Sequence, residues 1–125
     1  RAAAKFDDVM NFLPSRISGI LMVLAAPLVK LDGKNAWKIF KRDRLCHASP
    51  NSAQTESVMA GALQVQLAGD AWYFGKKHEK PTIGDPIRPV EIADIARANR
   101  LLYAASALGM IVFNGIKIIL LLLLL

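Results

Sequence analysis

The C-terminal end of the chain constrains the fold more than any other part of the sequence. Residues 101–125 contain one charged side chain, Lys117, and end in Ile119 followed by six consecutive leucines. A helix over these residues rises about 38 Å, whereas the hydrocarbon core of a bilayer is ~30 Å thick. Because a leucine run has no polar face for water, the sequence predicts a transmembrane helix here rather than a buried helix of a soluble core.

A second apolar stretch, residues 17–29, is too short to be assigned by length alone. It lies between Arg16 and Lys30 and contains Pro27. Extending the stretch backwards to spanning length places Arg16 in the bilayer, at a cost of at least ~2.5–3.5 kcal/mol. A full span and a half-span or re-entrant helix over residues 17–31 therefore both remain open.

Composition supports a membrane protein. Hydrophobic residues make up 54% of the chain and charged residues 21%, more apolar than is usual for a soluble domain and incompatible with disorder. The single cysteine excludes an internal disulfide framework. We expect an all-α, polytopic membrane protein, present here as a fragment, with four consecutive parts: a polar motif segment (1–16), the doubtful stretch (17–31), a polar cytoplasmic segment of short helices and loops (32–100), and the C-terminal span (101–125).

The positive charges indicate the orientation of the chain. The net charge is +6, and lysines and arginines follow the first apolar stretch and precede the second. By the positive-inside tendency, residues 32–100 face the cytoplasm. Acidic residues are interleaved with the cations and no nucleic-acid-binding module is recognisable, so we expect no nucleic-acid partner.

Spacing identifies two places where phosphate chemistry is plausible. Asp7 and Asn11 share a helix face at i, i+4, with Asp8 about 100° round, and their oxygens suit Mg²⁺. The alternative is a helix-start cap beside a snorkelling Arg16. A Ser-Pro-Asn turn ends at Asn51 and precedes a predicted helix over residues 53–67, whose first amides suit a phosphate. The alternative there is a packing helix with an ordinary cap.

The region between that helix and the C-terminal span has weaker signals. Residues 69–77 do not match a P-loop, because five residues separate the glycines and Lys77 replaces the required Ser/Thr. The aromatic run at 72–74 predicts a short apolar anchor between turns, either at the membrane interface or against the helix bundle. Residues 79–89 hold three prolines and four charges, which is typical of either a catalytic loop or a solvated connector. A helix is expected from Val90, running into the C-terminal span.

Several short motifs occur in one order along residues 5–100. They are Asp7-Asp8-x-x-Asn11-x-x-Pro14-x-Arg16, Arg42-Asp43, His47-x-Ser49-Pro50-Asn51, Glu56 with Met59-Ala60-Gly61-Ala62-Leu63, Tyr73-Phe74-Gly75, and Glu79-Lys80-Pro81-x-Ile83-Gly84-Asp85. This set resembles the C-terminal part of the adenosylcobinamide-phosphate synthase (CobD/CbiB) family of cobalamin biosynthesis. The sequence departs from the family at Ala53-Gln54, where Gly-Trp is expected, and family members are longer, with membrane helices ahead of this region.

The resemblance implies a multi-pass inner-membrane enzyme that forms an amide bond with ATP and Mg²⁺. Its substrates would be the corrinoid adenosylcobyric acid, through a propionate side chain, and an amino-alcohol phosphate such as (R)-1-aminopropan-2-ol phosphate. The missing N-terminal membrane helices would be partners of this chain, and an oligomer is compatible with the family.

The resemblance also implies roles for individual residues. The metal ligands would be Asp7, Asp8 and Asp85, with Glu56 as a further metal-binding or catalytic acid. The base that deprotonates the amine would be His47 or Glu79. Phosphate and substrate groups would be bound by Asn11, Arg16, Arg42, Ser49, Asn51 and Lys80.

Topology constrains this scheme. If residues 17–29 span the bilayer, Asp7 and Arg16 lie on the opposite side from His47 and Lys80, so one site cannot contain all four. We therefore predict that this segment is broken at Pro14 and Pro27 and does not fully cross. The competing hypothesis is a non-catalytic membrane regulatory or sensory protein of the same superfamily (AmpE-like), and a soluble helical packing module is a third.

Overall fold

The computed structural model describes residues 2–46, 51–69, 71–78 and 81–125 of the chain. Helices account for most of these residues, and short strands lie between the last two helices. In chain order the elements are α1 (Ala2–Ala25), a 3-10 helix (Ala26–Val29), α2 (Gly33–Asp43), α3 (Ser52–Leu63), β1 (Leu67–Ala68), β2 (Ala71–Tyr73), β3 (Lys76–His78), β4 (Thr82–Ile83) and α4 (Ala93–Leu124).

α1 passes without a break from the polar to the apolar part of the sequence. Pro14 lies inside this helix, so the predicted break at Pro14 is wrong; one missing N–H is tolerated where the surrounding turns keep their hydrogen bonds. Pro27 does coincide with a change, because the chain there tightens into the 3-10 helix, which ends at Lys30 with φ 62°. Proline suits the first turn of a helix, where its missing N–H has no intrahelical partner.

α2 is an amphipathic helix with a defined start. Its N-cap is Asp32, whose carboxylate accepts a hydrogen bond from the Asn35 backbone N–H at 2.9 Å, as capping residues do. The buried side chains recur at i, i+3, i+4 and i+7, the spacing of one helix face: Ala36, Ile39, Phe40 and Asp43.

α3 packs against both α1 and α2. The contact with α2 is close because Gly61 has no side chain: a Cβ there would lie 2.6 Å from the Asn35 carbonyl oxygen and 2.8 Å from the Ala36 Cα. The Asn35 side-chain amide donates to the Gly61 carbonyl oxygen at 2.8 Å. α3 is thus the packing helix that its small residues indicate, and α2 is the helix that approaches it.

α3 ends four residues before the predicted end of the helix. Gln64 adopts a left-handed conformation (φ 62°) and its backbone N–H closes the last turn. The chain then leaves the helix, and Leu67 pairs with the fully buried Ile83 in the β1–β4 ladder. Apolar periodicity extended the prediction because Val65 and Leu67 are apolar, but their contacts are made outside the helix.

The expectation of an all-α fold is incomplete, because the region that follows α3 contains two small antiparallel sheets. β1 pairs with β4, and β2 pairs with β3 in a hairpin. The hairpin turn is Phe74-Gly75, with positive φ at both positions (53° and 78°), the geometry of a two-residue turn that matches strand twist. Phe74 is fully exposed at this turn, so it does not pack against the helices, and an anchor at the membrane interface stays a prediction.

α4 is one continuous helix from Ala93 to Leu124, which confirms the predicted run into the C-terminal stretch with a start three residues later than expected. Leu101 and Ala105 pack in the core with Met22 of α1. The later turns make few contacts, and Leu120 and the leucines after it are all more than half exposed. This end of α4 presents apolar side chains to its surroundings.

Two helical segments are long and apolar enough to cross a membrane. They are Ala2–Val29, with a mean hydropathy of 1.7, and Ala93–Leu124, with 2.4. Only 22% and 6% of their most apolar windows are buried within the described structure, unlike the core helices of a soluble protein. Length, hydropathy and exposure are together compatible with a membrane location.

The close contact at Gly61 generates a prediction. Gly61→Ala should destabilise the protein by about 1–3 kcal/mol, because the added methyl group overlaps the α2 backbone and the two helices must separate. The measurement is thermal unfolding of the full-length protein in detergent, followed by circular dichroism.

Gly115→Ala is the matched control. Gly115 also lies inside a helix, and a Cβ there would meet no atom of the described structure within 4 Å. This variant should be neutral or slightly stabilising, since alanine has the higher helix propensity. Equal effects of the two substitutions would contradict the described α2–α3 contact.

Candidate functional site

The polar side chains at the start of α1 line the helix ahead of its apolar half. Asn11 donates its side-chain amide to both the carbonyl oxygen and the Oδ1 of Asp7, each at 3.0 Å. The predicted i, i+4 face is thereby confirmed. Asp8 is half-buried on the neighbouring face. Two consecutive carboxylates and one amide therefore lie within about one turn of the same helix.

Arg16 is held against α1 one turn further on. Its Nη1 donates to the Phe12 carbonyl oxygen at 2.8 Å, and its guanidinium carbon lies 3.6 Å from the centroid of the Phe12 ring. The hydroxyl of Ser15 donates to the same carbonyl at 3.0 Å. The face of an aromatic ring attracts a cation, so the Phe12 ring and carbonyl together fix the position of the Arg16 guanidinium.

The side chain of Asn51 connects the start of α3 to this part of α1. Its Oδ1 accepts hydrogen bonds from Ser15 Oγ and Arg16 Nη1, both at 3.3 Å, and its Nδ2 donates to the Asp8 carbonyl oxygen at 3.0 Å. Asn51 occupies the N-cap position of α3, as predicted, but its side chain forms no capping hydrogen bond. The amide is used instead to hold two helices together.

α3 lies beside the apolar stretch of residues 17–29, from one end of that stretch to the other. At one end Asn51 contacts Arg16, and at the other the Ala62 carbonyl oxygen accepts the backbone N–H of Asp32 at 3.2 Å. Residues 17–29 are therefore flanked at both ends by the same helix. Arg16 precedes this stretch in the sequence and Asn51 follows it. Because their side chains are in contact, the two residues lie at the same depth relative to any bilayer around the molecule.

A cavity of about 570 Å³ opens next to this cluster, between α1, α3 and α4. Thr55, one helical turn after Asn51, lines the cavity together with Ser18 of α1. Ser106 and Asn114 contribute polar groups from α4, and the remaining lining is mostly apolar. The volume is within the range of small-molecule pockets, about 300–1,000 Å³.

A second polar cluster lies at the end of α2. Arg42 forms two parallel hydrogen bonds with Asp43, Nε to Oδ1 at 2.9 Å and Nη2 to Oδ2 at 2.8 Å. Its Nη1 donates to Asp85 at 3.1 Å. The Gly84 backbone N–H donates to Asp43 Oδ2 at 2.8 Å. Asp43 thus fixes both its arginine neighbour and the turn after β4, more than 40 residues later.

Asp43 is a structural residue to which the sequence assigned no role. It is 5% exposed, and the hydrogen bonds from Arg42 and then the Gly84 N–H hold the pKa of its carboxyl below the usual range, against the effect of burial. The hydrogen bonds to Asp43 and then to Asp85 raise the pKa of Arg42. The sequence did contain a signal for this role of Asp43. The residue continues the i, i+3, i+4, i+7 buried face of α2, and a buried acid needs a hydrogen-bonding or charged partner.

The other predicted site residues are divided between these clusters and the rest of the chain. Asp85 pairs with Arg42, and the described residues contain no group of three or more acidic, histidine or cysteine side chains that could hold a metal ion. The structure therefore does not place Asp85 with Asp7 and Asp8. Glu56 is half-buried on α3. The remaining candidates lie outside the described residues: His47, Ser49, Glu79 and Lys80.

The fold and these clusters define a helical protein with two helices long enough to cross a membrane and a polar site where the first of them meets α3. The family model described as CobD/CbiB protein matches residues 1–102. The chain therefore belongs to the CobD/CbiB family.

Similar curated proteins agree with this membership. A protein of Clostridium perfringens named cobalamin biosynthesis protein CobD is 48% identical over 118 residues, covering 94% of this chain and 38% of that protein. The protein of the same name from Geobacter metallireducens is 50% identical, covering 86% and 34%. Cobalamin biosynthesis protein CbiB of Salmonella arizonae is 46% identical, covering 89% and 35%. The chain thus spans little more than a third of their length. No solved structure matches it.

The Asp43 cluster generates a stability prediction. Asp43→Asn should lower the free energy of unfolding by about 2–3 kcal/mol at pH 7, because the charged hydrogen bonds to Arg42 and Gly84 are weakened in a buried place. Since the pKa of Asp43 is lowered in the folded state, its contribution is complete above the unfolded-state pKa of about 3.9 and is lost as pH falls through the folded-state value. The difference between wild type and variant should shrink below about pH 4.

Denaturant titrations of the full-length protein in detergent measure both effects. Asp8→Asn is the matched control, since the side chain of Asp8 forms no hydrogen bond or ion pair within the described ranges and only its carbonyl contacts Asn51. It should change stability by less than about 0.5 kcal/mol. An Asp43→Asn protein as stable as this control would contradict the role of Asp43.

Proposed function

We propose that this chain forms part of the catalytic region of an adenosylcobinamide-phosphate synthase, acting in cobalamin biosynthesis. The reaction joins an amino-alcohol phosphate to the propionate side chain of adenosylcobyric acid in an ATP-dependent amide bond. Membership of the CobD/CbiB family supports the pathway, since the similar proteins are named for cobalamin biosynthesis. The ordered motifs of the sequence support the reaction.

One observation carries the proposal on the structural side. Asn51, at the start of α3, shares its amide oxygen with Arg16 and Ser15 of α1 and donates to the carbonyl of Asp8. Motifs more than 30 residues apart in the sequence are thus combined in one polar cluster with a cavity beside it. A cluster that only held helices together would need none of the neighbouring carboxylates.

The chemistry requires groups of these types. A carboxylate is activated most simply as an acyl phosphate, formed by transfer of the γ-phosphoryl group of ATP. The neutral amine then attacks the acyl carbon, phosphate leaves and the proton of the amine passes to a base. Phosphoryl transfer depends mainly on positioning and on neutralising charge, so acids that hold Mg²⁺ and cations that contact phosphate are both expected.

We assign the α1 carboxylates to the metal. Mg²⁺ commonly binds one or two carboxylates and completes its shell with waters and substrate phosphates, and Asp7 and Asp8 offer that number of ligands with Asn11 fixing Asp7. When bound, Mg²⁺ would neutralise phosphate charge. Asp85, which Arg42 holds in the second cluster, would contact the substrate rather than this metal.

The cations and the amide are assigned to phosphate groups. Arg16 and Asn51 would position one phosphate beside Asn11, while Arg42, Ser49 and Lys80 would contact others. His47 or Glu79 would accept the proton of the amine, and Glu56, on α3 five residues after Asn51, would act as a further acid. These assignments follow the family motifs, with Arg16 and Asn51 also supported by their contact.

We also propose a multi-pass inner-membrane location with this region facing the cytoplasm. The two long apolar helical segments support it, as do the lysines and arginines that flank them in the sequence. The remaining membrane helices would come from the part of the protein by which the relatives exceed this chain.

Alanine substitutions test the proposal. In the full-length protein, Asp7→Ala, Asp8→Ala, Asn51→Ala and Lys80→Ala should each lower kcat/KM for adenosylcobinamide phosphate formation by about 100-fold or more, because each removes a charge or hydrogen bond that positions or stabilises phosphate. Product is measured by mass spectrometry after incubation with adenosylcobyric acid, ATP, Mg²⁺ and aminopropanol phosphate.

Lys34→Ala is the matched control, since Lys34 is exposed in the first turn of α2, eight residues before Arg42, and it should retain wild-type activity. Activity near wild type in all four alanine variants would refute the assignment of the site. A folded wild-type protein that forms no amide product would instead favour the non-catalytic, regulatory alternative.

A further inference from the structure

A polar cavity lies at the opposite end of α3 from Asn51. Its volume is about 350 Å³, and Lys30, Arg88 and Arg97 line it together with Asp32 and Gln64. Since α3 has 12 residues, a rise of about 18 Å along the helix axis separates this cavity from the cluster at Asn51. It is therefore distinct from the candidate active site.

Two of the three cations are fixed in place by a shared carboxylate. Arg88 forms a bidentate ion pair with Asp94, and Arg97 Nη1 contacts the same carboxylate at 3.0 Å as well as Glu91. The Arg88 backbone N–H also donates to the Gln64 carbonyl oxygen at 3.2 Å. Asp94 is almost fully buried, so one buried carboxylate holds two guanidinium groups in place on the cavity wall.

Hydrogen-bond donors remain on that wall after these contacts. The contacts that Arg97 makes with described residues all use Nη1, which leaves Nη2 and Nε without a hydrogen-bond partner among those residues. Lys30 forms no ion pair or side-chain hydrogen bond with any described residue. Its backbone is nevertheless fixed, because its N–H closes the 3-10 helix on the carbonyls of Ala26 and Pro27. A rigid backbone thus presents an ammonium group without a partner.

The one carboxylate that lines the cavity is already occupied. Asp32 accepts hydrogen bonds from the Asn35 N–H at 2.9 Å and from Gln64 Nε2 at 2.8 Å, and these contacts lower the pKa of its carboxyl. Its charge is directed towards α2 and Gln64. The lining therefore holds three positive groups and one negative group, with donors left over from two of the positive ones.

We propose that this cavity, which we call the basic cavity, binds the phosphate group of an anionic phosphate ester. A phosphate ester offers several acceptor oxygens and a charge between −1 and −2, which matches an ammonium group beside guanidinium donors. The volume exceeds that of a phosphate alone and leaves room for the atoms esterified to it.

The position of the basic cavity favours a ligand close to a membrane surface. Lys30 immediately follows one of the two segments long enough to span a membrane, and Arg97 lies in the first turns of the other. Basic pockets where such helices end are typical binding places for phospholipid headgroups. A soluble phosphate ester would use the same donors, so the two sources share one chemistry and are separated by experiment. The site does not depend on the proposed ligase activity.

Binding to the full-length protein in neutral detergent tests the basic cavity. The probes are inorganic phosphate and dioleoylphosphatidylglycerol, with dioleoylphosphatidylcholine as a zwitterionic reference of zero net charge, and the readouts are the Tm and the titrated Kd. We expect at least one anionic probe to raise the Tm, as a ligand of the folded state does. Lys30→Ala should weaken its Kd about tenfold, through loss of a charged hydrogen bond.

Two further variants make the result specific. Lys38→Ala removes the same charge from an exposed position outside the cavity and should leave the Kd unchanged. Arg97→Lys keeps a cation near Asp94 but removes the unused guanidinium donors, so it should weaken binding without unfolding the protein. Binding of phosphatidylglycerol alone identifies a lipid headgroup, and binding of inorganic phosphate alone identifies a soluble ester. Binding of neither probe, or equal binding by Lys30→Ala and Lys38→Ala, would overturn the proposal.

Discussion

The amide of Asn51 is the interaction on which the candidate site depends. It holds the first turn of α3 against the middle of α1 through Ser15, Arg16 and the Asp8 carbonyl. Asparagine suits this position because its side-chain amide both donates and accepts hydrogen bonds. The side chain of an ordinary N-cap residue would instead bond to the first turn of its own helix. This bridge connects the α1 segment that carries Asp7 and Asp8 to the motif that ends at Asn51.

Asp43 provides a second constraint of the same kind. As the last residue of α2, Asp43 accepts a hydrogen bond from the Gly84 N–H. Most of the remaining predicted site residues lie in the sequence soon after Asp43 or shortly before Gly84. His47 and Ser49 follow α2 in the sequence, and Glu79 and Lys80 precede β4. Asp43, kept ionised by Arg42, therefore fixes the start of the segment that carries His47 and Ser49 and the end of the segment that carries Glu79 and Lys80. Asn51 fixes the other end of the first of these segments.

The sequence was sufficient for α4 and for part of the site. An unbroken apolar run predicts α4, and the spacing of Asp7 and Asn11 predicts their contact, because both depend only on local periodicity. The strands were missed because two-residue ladders such as Leu67 with Ile83 depend on partners distant in sequence. The predicted break at Pro14 is wrong, because the loss of one backbone hydrogen bond does not end a helix whose neighbouring turns keep theirs.

Cross-linking tests the central claim, that the α1 motif and Asn51 form one cluster. In the full-length protein with Cys46→Ser, Ser15→Cys and Asn51→Cys are combined, oxidised and analysed by mass spectrometry after proteolysis between the two positions. The side chains of Ser15 and Asn51 lie 3.3 Å apart, so we expect efficient cross-linking. Ala3→Cys with Asn51→Cys should not cross-link, because Ala3 is about 18 Å further along α1. Failure of the first pair, or equal cross-linking of both, would contradict the account.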